Sequence, residues 1–244
     1  MAETATLLVE LRTEELPPKS LKRLGAAFAD GIAEGLAKGK FRGRDSTVSA
    51  YATPRRLAVS IADVRAVAPD DEIVEKLMPA KVARDASGRV SEALKKKLAG
   101  LGRPHLATDS LDAKDGPDAV YVGSDGKADY VYLRRLAKGQ PLAGGLQEVL
   151  DDTIAGLPIA KVMSYAGADG YYNDQKFVRP ARGLVALHGR DIVPVMALGL
   201  DAGRTSAGHR FLSRGTLDIE SAQAYEPTLE AEGKVTPSFA KRRR

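Results

Sequence analysis

Two short segments join arginine to proline at the edges of apolar, strand-like runs. They are Thr53-Pro54-Arg55-Arg56-Leu57 and Lys176-Phe177-Val178-Arg179-Pro180. Proline holds the backbone extended and disfavours helix at the residue before it, so the neighbouring guanidinium groups project from a stiff edge. A planar, permanently charged donor suits the recognition of phosphate or carboxylate. The alternative is that both segments are structural corners whose arginines pair with acidic neighbours.

A glycine-bearing segment, 202–208, carries Arg204 and leads directly into His209-Arg210. Glycines allow a backbone to approach a ligand closely, and the three basic side chains could flank that ligand. No Lys-Ser or Lys-Thr pair follows the second glycine, as a phosphate-binding loop of the P-loop type would require. The segment therefore predicts either a ligand-binding loop or a structural turn.

Two pairs of adjacent charged residues have structural interpretations beside the functional ones. Arg55 and Arg56 would point to opposite faces of an extended segment, so one could anchor the fold while the other faces a partner. Glu14 and Glu15 precede a predicted helix start, where carboxylates stabilise the helix dipole by about 0.3–1 kcal/mol. Either glutamate could instead pair with one of the two arginines. Nothing else is spaced to complete an acid–base pair with them, so no catalytic residue is predicted.

The composition limits the classes of chemistry that the chain could perform. It has 244 residues, no cysteine, three histidines and a formal net charge of +5. The lack of cysteine excludes disulfides, thiolate zinc sites and a cysteine nucleophile, and it fits a reducing cytoplasm. His105, His188 and His209 lie in unrelated segments, so no metal site is predicted. The mild positive charge permits an anionic partner, and no apolar run is long enough to span a membrane.

The apolar periodicity predicts the elements that would position these residues. A strand over 5–12 has Leu7, Val9 and Leu11 on one face. A helix starts at Pro17-Pro18, carries an apolar stripe from Leu21 to Leu36 and ends at Gly39. Further strands are predicted at 47–52, 57–64, 70–76, 119–123, 129–133, 183–188, 192–198 and 216–219, with a hairpin turn at Asp125-Gly126. Further helices are predicted at 92–99, with Ser91 as the cap, at 142–155 and from Ser221 onward. Hairpins recur and the elements do not alternate regularly, which favours an α+β fold with a mixed or antiparallel sheet and packed helices.

Five segments, taken together, resemble a known family. They are Val9 to Pro18, Ala52 to Leu57, Leu157 to Met163, Phe177 to Pro180 and Gly208 to Phe211. In this order and at these separations they resemble the N-terminal part of the β subunit of bacterial heterotetrameric (α2β2) glycyl-tRNA synthetase. Family β subunits are several times longer. The resemblance therefore implies an N-terminal α+β domain over 1–220 and the truncated start of a helical region over 221–244.

The resemblance also implies how the enzyme divides its work. In the family, the separate α subunit uses glycine, ATP and magnesium, so no cofactor is expected on this chain. The β subunit supplies tRNA binding, and the expected partners are the α subunit, tRNA-Gly and the remainder of the β subunit, in the cytoplasm. The N-terminal part is also similar in kind to the editing-type module of the phenylalanyl-tRNA synthetase β subunit, which implies the same α+β fold.

Within this resemblance, a set of basic residues becomes the candidate nucleic-acid-binding set. They are Arg55, Arg56, Lys161, Lys176, Arg179, Arg182, Arg204, His209 and Arg210. Downstream of Lys161 the family tends to Arg-Trp-Gly, whereas this chain has Ser164-Tyr165-Ala166-Gly167 and a longer stretch at 169–175.

Two other functions stay open: a purely structural inter-domain or inter-subunit module, and an aminoacyl-tRNA deacylase. A deacylase that removes wrongly attached amino acids is less needed for glycine, because a catalytic pocket for the smallest amino acid can exclude larger amino acids by size.

Overall fold

The computed structural model of the chain describes residues 3–43, 45–109, 111, 118–166 and 175–243. By their contacts these residues form two units: unit 1 comprises Met1–Ala68 with Gln140–Arg244, and unit 2 comprises Pro69–Gly139. No helix within the described ranges is both long and apolar enough to cross a membrane. The sequence patterns did not mark the boundaries at 69 and 139, and the division predicted at residue 220 stays a prediction.

The described chain mixes strands and helices in the irregular order that the sequence predicts. The strands are β1 (Thr4–Thr13), β2 (Val48–Thr53), β3 (Arg56–Arg65), β4 (Asp71–Pro79), β5 (Asp118–Ser124), β6 (Asp129–Ala137), β7 (Met163–Tyr165), β8 (Gln175–Phe177), β9 (Ala181–His188), β10 (Asp191–Ile192), β11 (Met196–Ala197), β12 (Leu200–Gly203), β13 (Thr205–Ala207) and β14 (Thr216–Asp218). The helices are α1 (Pro18–Lys38), α2 (Ala80–Ala83), α3 (Glu92–Gly100), α4 (Leu142–Gly156) and α5 (Tyr225–Ala231), with 3-10 turns at Pro104–Leu106 and Lys241–Arg243. The predicted mixed α and β content with antiparallel strands is confirmed.

One predicted strand, 192–198, is wrong. The strand β10 stops at Ile192, because Pro194 has no amide N–H with which to continue a ladder. The chain pairs again only at β11, whose partner is β12. The helix predicted from Ser221 begins later, at Tyr225, and places Pro227 in its first turn, where a missing N–H costs nothing.

Strand β1 is the centre of a seven-stranded mixed sheet in unit 1. It pairs antiparallel with β3 on one side and with β9 on the other, and β12 runs parallel to β9. The order across the sheet is β11-β12-β9-β1-β3-β2, with β10 also on β9. A central strand is covered on both faces, so the side chains from Leu7 to Leu11 are all buried.

Helices α1 and α4 cover one face of this sheet. The predicted stripe of α1 packs there with Leu7, Val9 and Leu11 of β1, in one cluster with buried residues of α4. The start of α1 at proline and its end at Gly39 are confirmed. The opposite face of the sheet packs Leu8 against a second cluster that includes residues of α5 and β14.

Unit 2 is a three-stranded antiparallel sheet in the order β4-β6-β5 with the short helices α2 and α3. The predicted cap of α3 is confirmed: the Ser91 hydroxyl accepts a hydrogen bond from the Leu94 amide. The predicted hairpin turn is also confirmed, with Gly126 at φ +86°. The Lys76 ammonium, by its hydrogen bond, lowers the pKa of the turn residue Asp125 to about 2.

Adjacent glycines in α4 should respond to alanine with opposite signs. A Cβ on Gly145 would overlap the ring of Phe41, which is 1% exposed, so Gly145→Ala should lower the free energy of unfolding by about 1–3 kcal/mol. A Cβ on Gly144 would meet only the side chain of Gln140, so Gly144→Ala should raise that free energy by up to about 1 kcal/mol. Urea unfolding measures both, and equal effects would contradict the packing of Phe41 on α4.

Candidate nucleic-acid interface

The turn after β1 brings the two arginine–proline segments together. The Thr13 amide donates to the carbonyl of Arg55 at 2.9 Å, and the Glu14 amide donates to the carbonyl of Pro180 at 2.9 Å. The sheet register produces this meeting, because the C-terminal end of β1 lies beside the N-terminal ends of β3 and β9. Sequence segments more than a hundred positions apart therefore form one rim at the end of the sheet.

The acidic turn pairs with two of the candidate arginines on the surface. Arg55 lies 3.2 Å from a Glu15 carboxylate oxygen, and Arg182 lies 2.9 Å from a Glu14 carboxylate oxygen. All four side chains are more than a third exposed, and exposed pairs contribute only about 0–1 kcal/mol. Both arginines can therefore exchange a carboxylate for a phosphate at small cost.

Arg56 lies in the interior instead, bound to a buried carboxylate. Its guanidinium donates to Glu10 at 3.2 Å, and the two side chains are 4% and 0% exposed. The same carboxylate accepts hydrogen bonds from Ser206 at 2.6 Å and from the hydroxyl of Tyr225. Arg56 also donates to the carbonyl of Ala207. Of the two adjacent arginines, Arg56 anchors the fold and Arg55 faces outward.

The charge states within this network follow from burial and from the carboxylate. Burial, followed by the charge of Glu10, raises the pKa of Tyr225 well above its usual value, so its hydroxyl stays a donor at neutral pH. Burial alone would lower the pKa of Arg56, but the charge of Glu10 and the contact with Tyr225 together outweigh burial, and the pKa is raised. Burial also raises the pKa of Tyr51, which lies edge-on to Tyr225, to about 12. At neutral pH the Arg56 guanidinium therefore stays charged, and the hydroxyls of Tyr225 and Tyr51 stay protonated.

Two adjoining pockets lie at this end of the sheet, and both are lined by Arg55, Arg56 and the 208–210 segment. The first, here called the aromatic pocket, has a volume of about 370 Å3. Its wall is completed by a set of residues that includes Pro54, Phe211, Lys234, Val235 and Arg242. The second, the arginine pocket, has a volume of about 320 Å3. Its wall is completed by a set of residues that includes Arg12, Thr13, Glu14, Arg182 and Ser213.

The loop that carries His209 is fixed by backbone contacts. Nδ1 of His209 accepts the amides of Phe211 at 3.2 Å and Leu212 at 3.3 Å, and the His209 amide donates to the Gly233 carbonyl at 2.6 Å. A Cβ on Gly208 would lie 2.6 Å from the Gly233 Cα, so only glycine permits this approach. His209 therefore shapes the loop through Nδ1.

The same loop presents an aromatic ring to solvent. Phe211 is 81% exposed, and the guanidinium carbon of Arg210 lies 5.6 Å from the centre of its ring. A large exposed aromatic beside arginine is the arrangement on which nucleic-acid bases stack.

The remaining candidates lie outside both pocket walls. Arg179 donates to the carbonyl of Glu15 at 3.0 Å, and Arg204 donates to the carbonyl of Arg190 at 2.8 Å. Lys161 and Lys176 are exposed elsewhere in unit 1.

One of the residues that departs from the family pattern has a structural contact. The hydroxyl of Tyr165 accepts a hydrogen bond from the Ala181 amide at 3.1 Å. Gly167 and residues 169–174 lie outside the described residues.

Three basic residues of the pocket walls were not predicted as candidates. Arg12 lies within the first segment that carries the family resemblance, and its position beside Arg56 in the sheet register makes it a wall residue. Lys234 has no distinguishing sequence pattern. Arg242 belongs to the terminal basic run, where its guanidinium donates to the Ala52 carbonyl at 2.6 Å.

Comparisons with known proteins agree with the resemblance in the sequence. The family described as Glycyl-tRNA synthetase beta subunit matches residues 7–244. The glycine–tRNA ligase beta subunit of Dechloromonas aromatica (strain RCB) is 48% identical over 240 residues, which are 97% of this chain and 33% of the relative. That of Leptothrix cholodnii is 48% identical over 238 residues, 97% of this chain and 32% of the relative. That of Aromatoleum aromaticum is 45% identical over 243 residues, 100% of this chain and 33% of the relative.

The matched family and relatives are subunits of an aminoacyl-tRNA synthetase, and this is the class of protein to which the chain belongs. Within that class, the chain belongs to the glycyl-tRNA synthetase β-subunit family. It spans about a third of the length of the curated relatives that it matches. The resemblance that five short segments carried is confirmed.

Loss of the Glu10 charge should destabilise the fold far more than loss of a surface carboxylate. Glu10→Gln leaves Arg56 buried without its counter-charge, and breaking such a pair costs about 3–5 kcal/mol. Glu14→Gln is the matched control, because its pair with Arg182 is exposed and should contribute at most about 1 kcal/mol. Urea unfolding compares the two variants. Similar losses of stability in both would contradict the role given to Glu10.

Proposed function

We propose that this chain is a non-catalytic, tRNA-binding portion of a glycyl-tRNA synthetase β subunit. One observation carries the proposal: the end of the sheet gathers Arg12, Arg55, Arg182 and Arg210 around one pair of pockets, with Phe211 exposed beside them. Arginines neutralise phosphates, and exposed aromatic rings stack on unpaired bases. The relatives' name, glycine–tRNA ligase beta subunit, supplies the identity of the RNA, tRNA-Gly.

The rest of the enzyme completes this proposal. The α subunit attaches glycine to tRNA-Gly with ATP and magnesium in the cytoplasm, and this chain holds the RNA without a cofactor or catalytic residue of its own. The chain alone is then inactive as a ligase. Residues 1–220 form the N-terminal domain, with a fold like that of the editing-type module of the phenylalanyl enzyme, and 221–244 open the region that joins it to the rest of the β subunit.

Binding of tRNA-Gly should depend on salt and on the exposed arginines of the pockets. Each phosphate contact contributes about 0.7–0.9 to the slope of log K against log salt, so Arg55→Ala and Arg210→Ala should each reduce the slope by about that amount. Fluorescence anisotropy across a salt series, with a non-cognate tRNA beside tRNA-Gly, measures the slopes.

Arg190→Ala is the matched control for this titration. Its side chain is 74% exposed and paired with Glu220, and it lines neither pocket. If Arg190→Ala reduced the slope of log K against log salt as much as Arg55→Ala does, tRNA-Gly would be binding to a diffuse basic surface and not to the pockets. Undetectable binding of tRNA-Gly at low salt would contradict the proposal for this chain.

The structural alternative is favoured by a specific observation: Arg55 and Arg182 already have carboxylate partners, and Arg56 is buried with Glu10. As a bracing module, the chain would associate with the α subunit or the remaining β subunit in the absence of RNA. Co-purification after nuclease treatment tests this expectation. Arg55→Ala should leave such a complex intact if the arginines only hold the acidic turn. No association with either partner would remove the alternative.

A further inference from the structure

The arginine pocket is lined by residues that carry buried polar atoms without a hydrogen-bond partner. Among the described residues, Thr13 Oγ1, Ser213 Oγ and the Nε atoms of Arg12 and Arg56 are buried without a hydrogen-bond partner. All four residues line this one pocket, and Thr13 and Arg56 are each only 4% exposed. An unpaired buried polar group destabilises a protein by about 1–3 kcal/mol. A ligand that accepts hydrogen bonds from these groups would offset that loss.

The chemistry of these groups selects the ligand. Each of the four can donate a hydrogen bond, and the guanidinium groups of Arg55 and Arg182 add positive charge to the same wall. The one carboxylate in the wall, Glu14, is already paired with Arg182. Several donors and several fixed positive charges around about 320 Å3 match a tetrahedral anion with oxygen acceptors on every side. Phosphate is such an anion.

The adjoining aromatic pocket offers a different surface. Pro54, Phe211 and Val235 give its wall an apolar part, and the ring of Phe211 is almost fully exposed. A planar base can stack on such a ring whatever its sequence, because every base has a π-face. Both pockets share Arg55 and the 208–210 segment, so they adjoin each other. Two covalently linked groups of one ligand can therefore occupy one pocket each.

We propose that the two pockets bind one nucleotide, with its phosphate in the arginine pocket and its base on Phe211. This nucleotide site deepens the proposed function. It rests on that function only in the claim that the nucleotide is an unpaired residue of a bound RNA. A free mononucleotide has the same chemistry, so it serves as the probe. Adenosine monophosphate, inorganic phosphate and adenosine separate the contributions of base and phosphate.

Two substitutions test the two halves of the site in the full chain. Thr13→Val removes the unpartnered hydroxyl at nearly constant shape, and should weaken both adenosine monophosphate and inorganic phosphate about tenfold. Phe211→Ala should weaken adenosine monophosphate about tenfold and leave inorganic phosphate unchanged. Leu212→Ala is the matched control, because Leu212 is the next exposed apolar side chain and lines neither pocket. NMR titration or calorimetry reports each dissociation constant, and a thermal melt checks that each variant is folded.

Each outcome decides the proposal. If Thr13→Val does not fold, Ser213→Ala removes the neighbouring unpartnered hydroxyl and should have the same effect on both phosphate ligands. If adenosine monophosphate does not bind saturably, the proposal is overturned, even if tRNA-Gly binds. The proposal is also overturned if the hydroxyl variants and Phe211→Ala leave the binding of adenosine monophosphate unchanged. Displacement of the bound nucleotide by tRNA-Gly supports RNA as its source. Binding that tRNA-Gly does not displace keeps the nucleotide site and overturns RNA as its source, whereas the proposed function fails only if the salt series detects no binding of tRNA-Gly.

Discussion

The contact between Glu10 and Arg56 constrains the rest of unit 1. Two opposite charges lie on the face of the sheet that packs against α5, and both side chains are almost fully removed from water. Burial of single charges is prohibitive, so each must have its partner and its hydrogen bonds. Glu10 obtains three donors, and they come from β3, β13 and α5. One carboxylate on the central strand thereby fixes the three elements whose ends build the pockets.

This constraint explains how a rigid core supports an adaptable surface. Arg56 is held in the interior by Glu10. Arg55, the residue before it in the turn, is thereby placed at the rim, where its carboxylate partner Glu15 is exposed. The loop at 208–213 follows β13 directly, so the network also fixes where that loop begins. At the edge of the network, the Nε of Arg56 is buried without a hydrogen-bond partner, and Arg56 itself lines the arginine pocket.

Local patterns in the sequence predicted the elements, and long-range contacts decided the site. Alternation in β1, proline at the start of α1 and the Ser91 cap are local signals, so these features were predictable. Glu10 gives no local sign of its role, because its partners Arg56 and Tyr225 lie 46 and 215 positions away. Arg55, His209 and Arg210 lie in the family segments, and the folded chain brings them together with Arg182 in the wall of one pocket.

Other errors have equally physical causes. The strand predicted over 192–198 failed at a proline that cannot donate to a ladder. The boundaries of unit 2 were missed because strand-like runs continue on both sides of residue 69 without a break in pattern. Arg12 and Arg242 became pocket residues through the sheet register and a carbonyl of β2, and neither contact has a signature in the sequence.

The most direct test of the central claim is a map of where RNA contacts the chain. Hydrogen–deuterium exchange of the 244-residue chain, with and without tRNA-Gly, provides that map. Bound tRNA-Gly should slow exchange at 53–56, 208–213 and 233–236, segments that line the pockets. Protection confined to α1 or to residues 69–139, with exchange at the pockets unchanged, would contradict it.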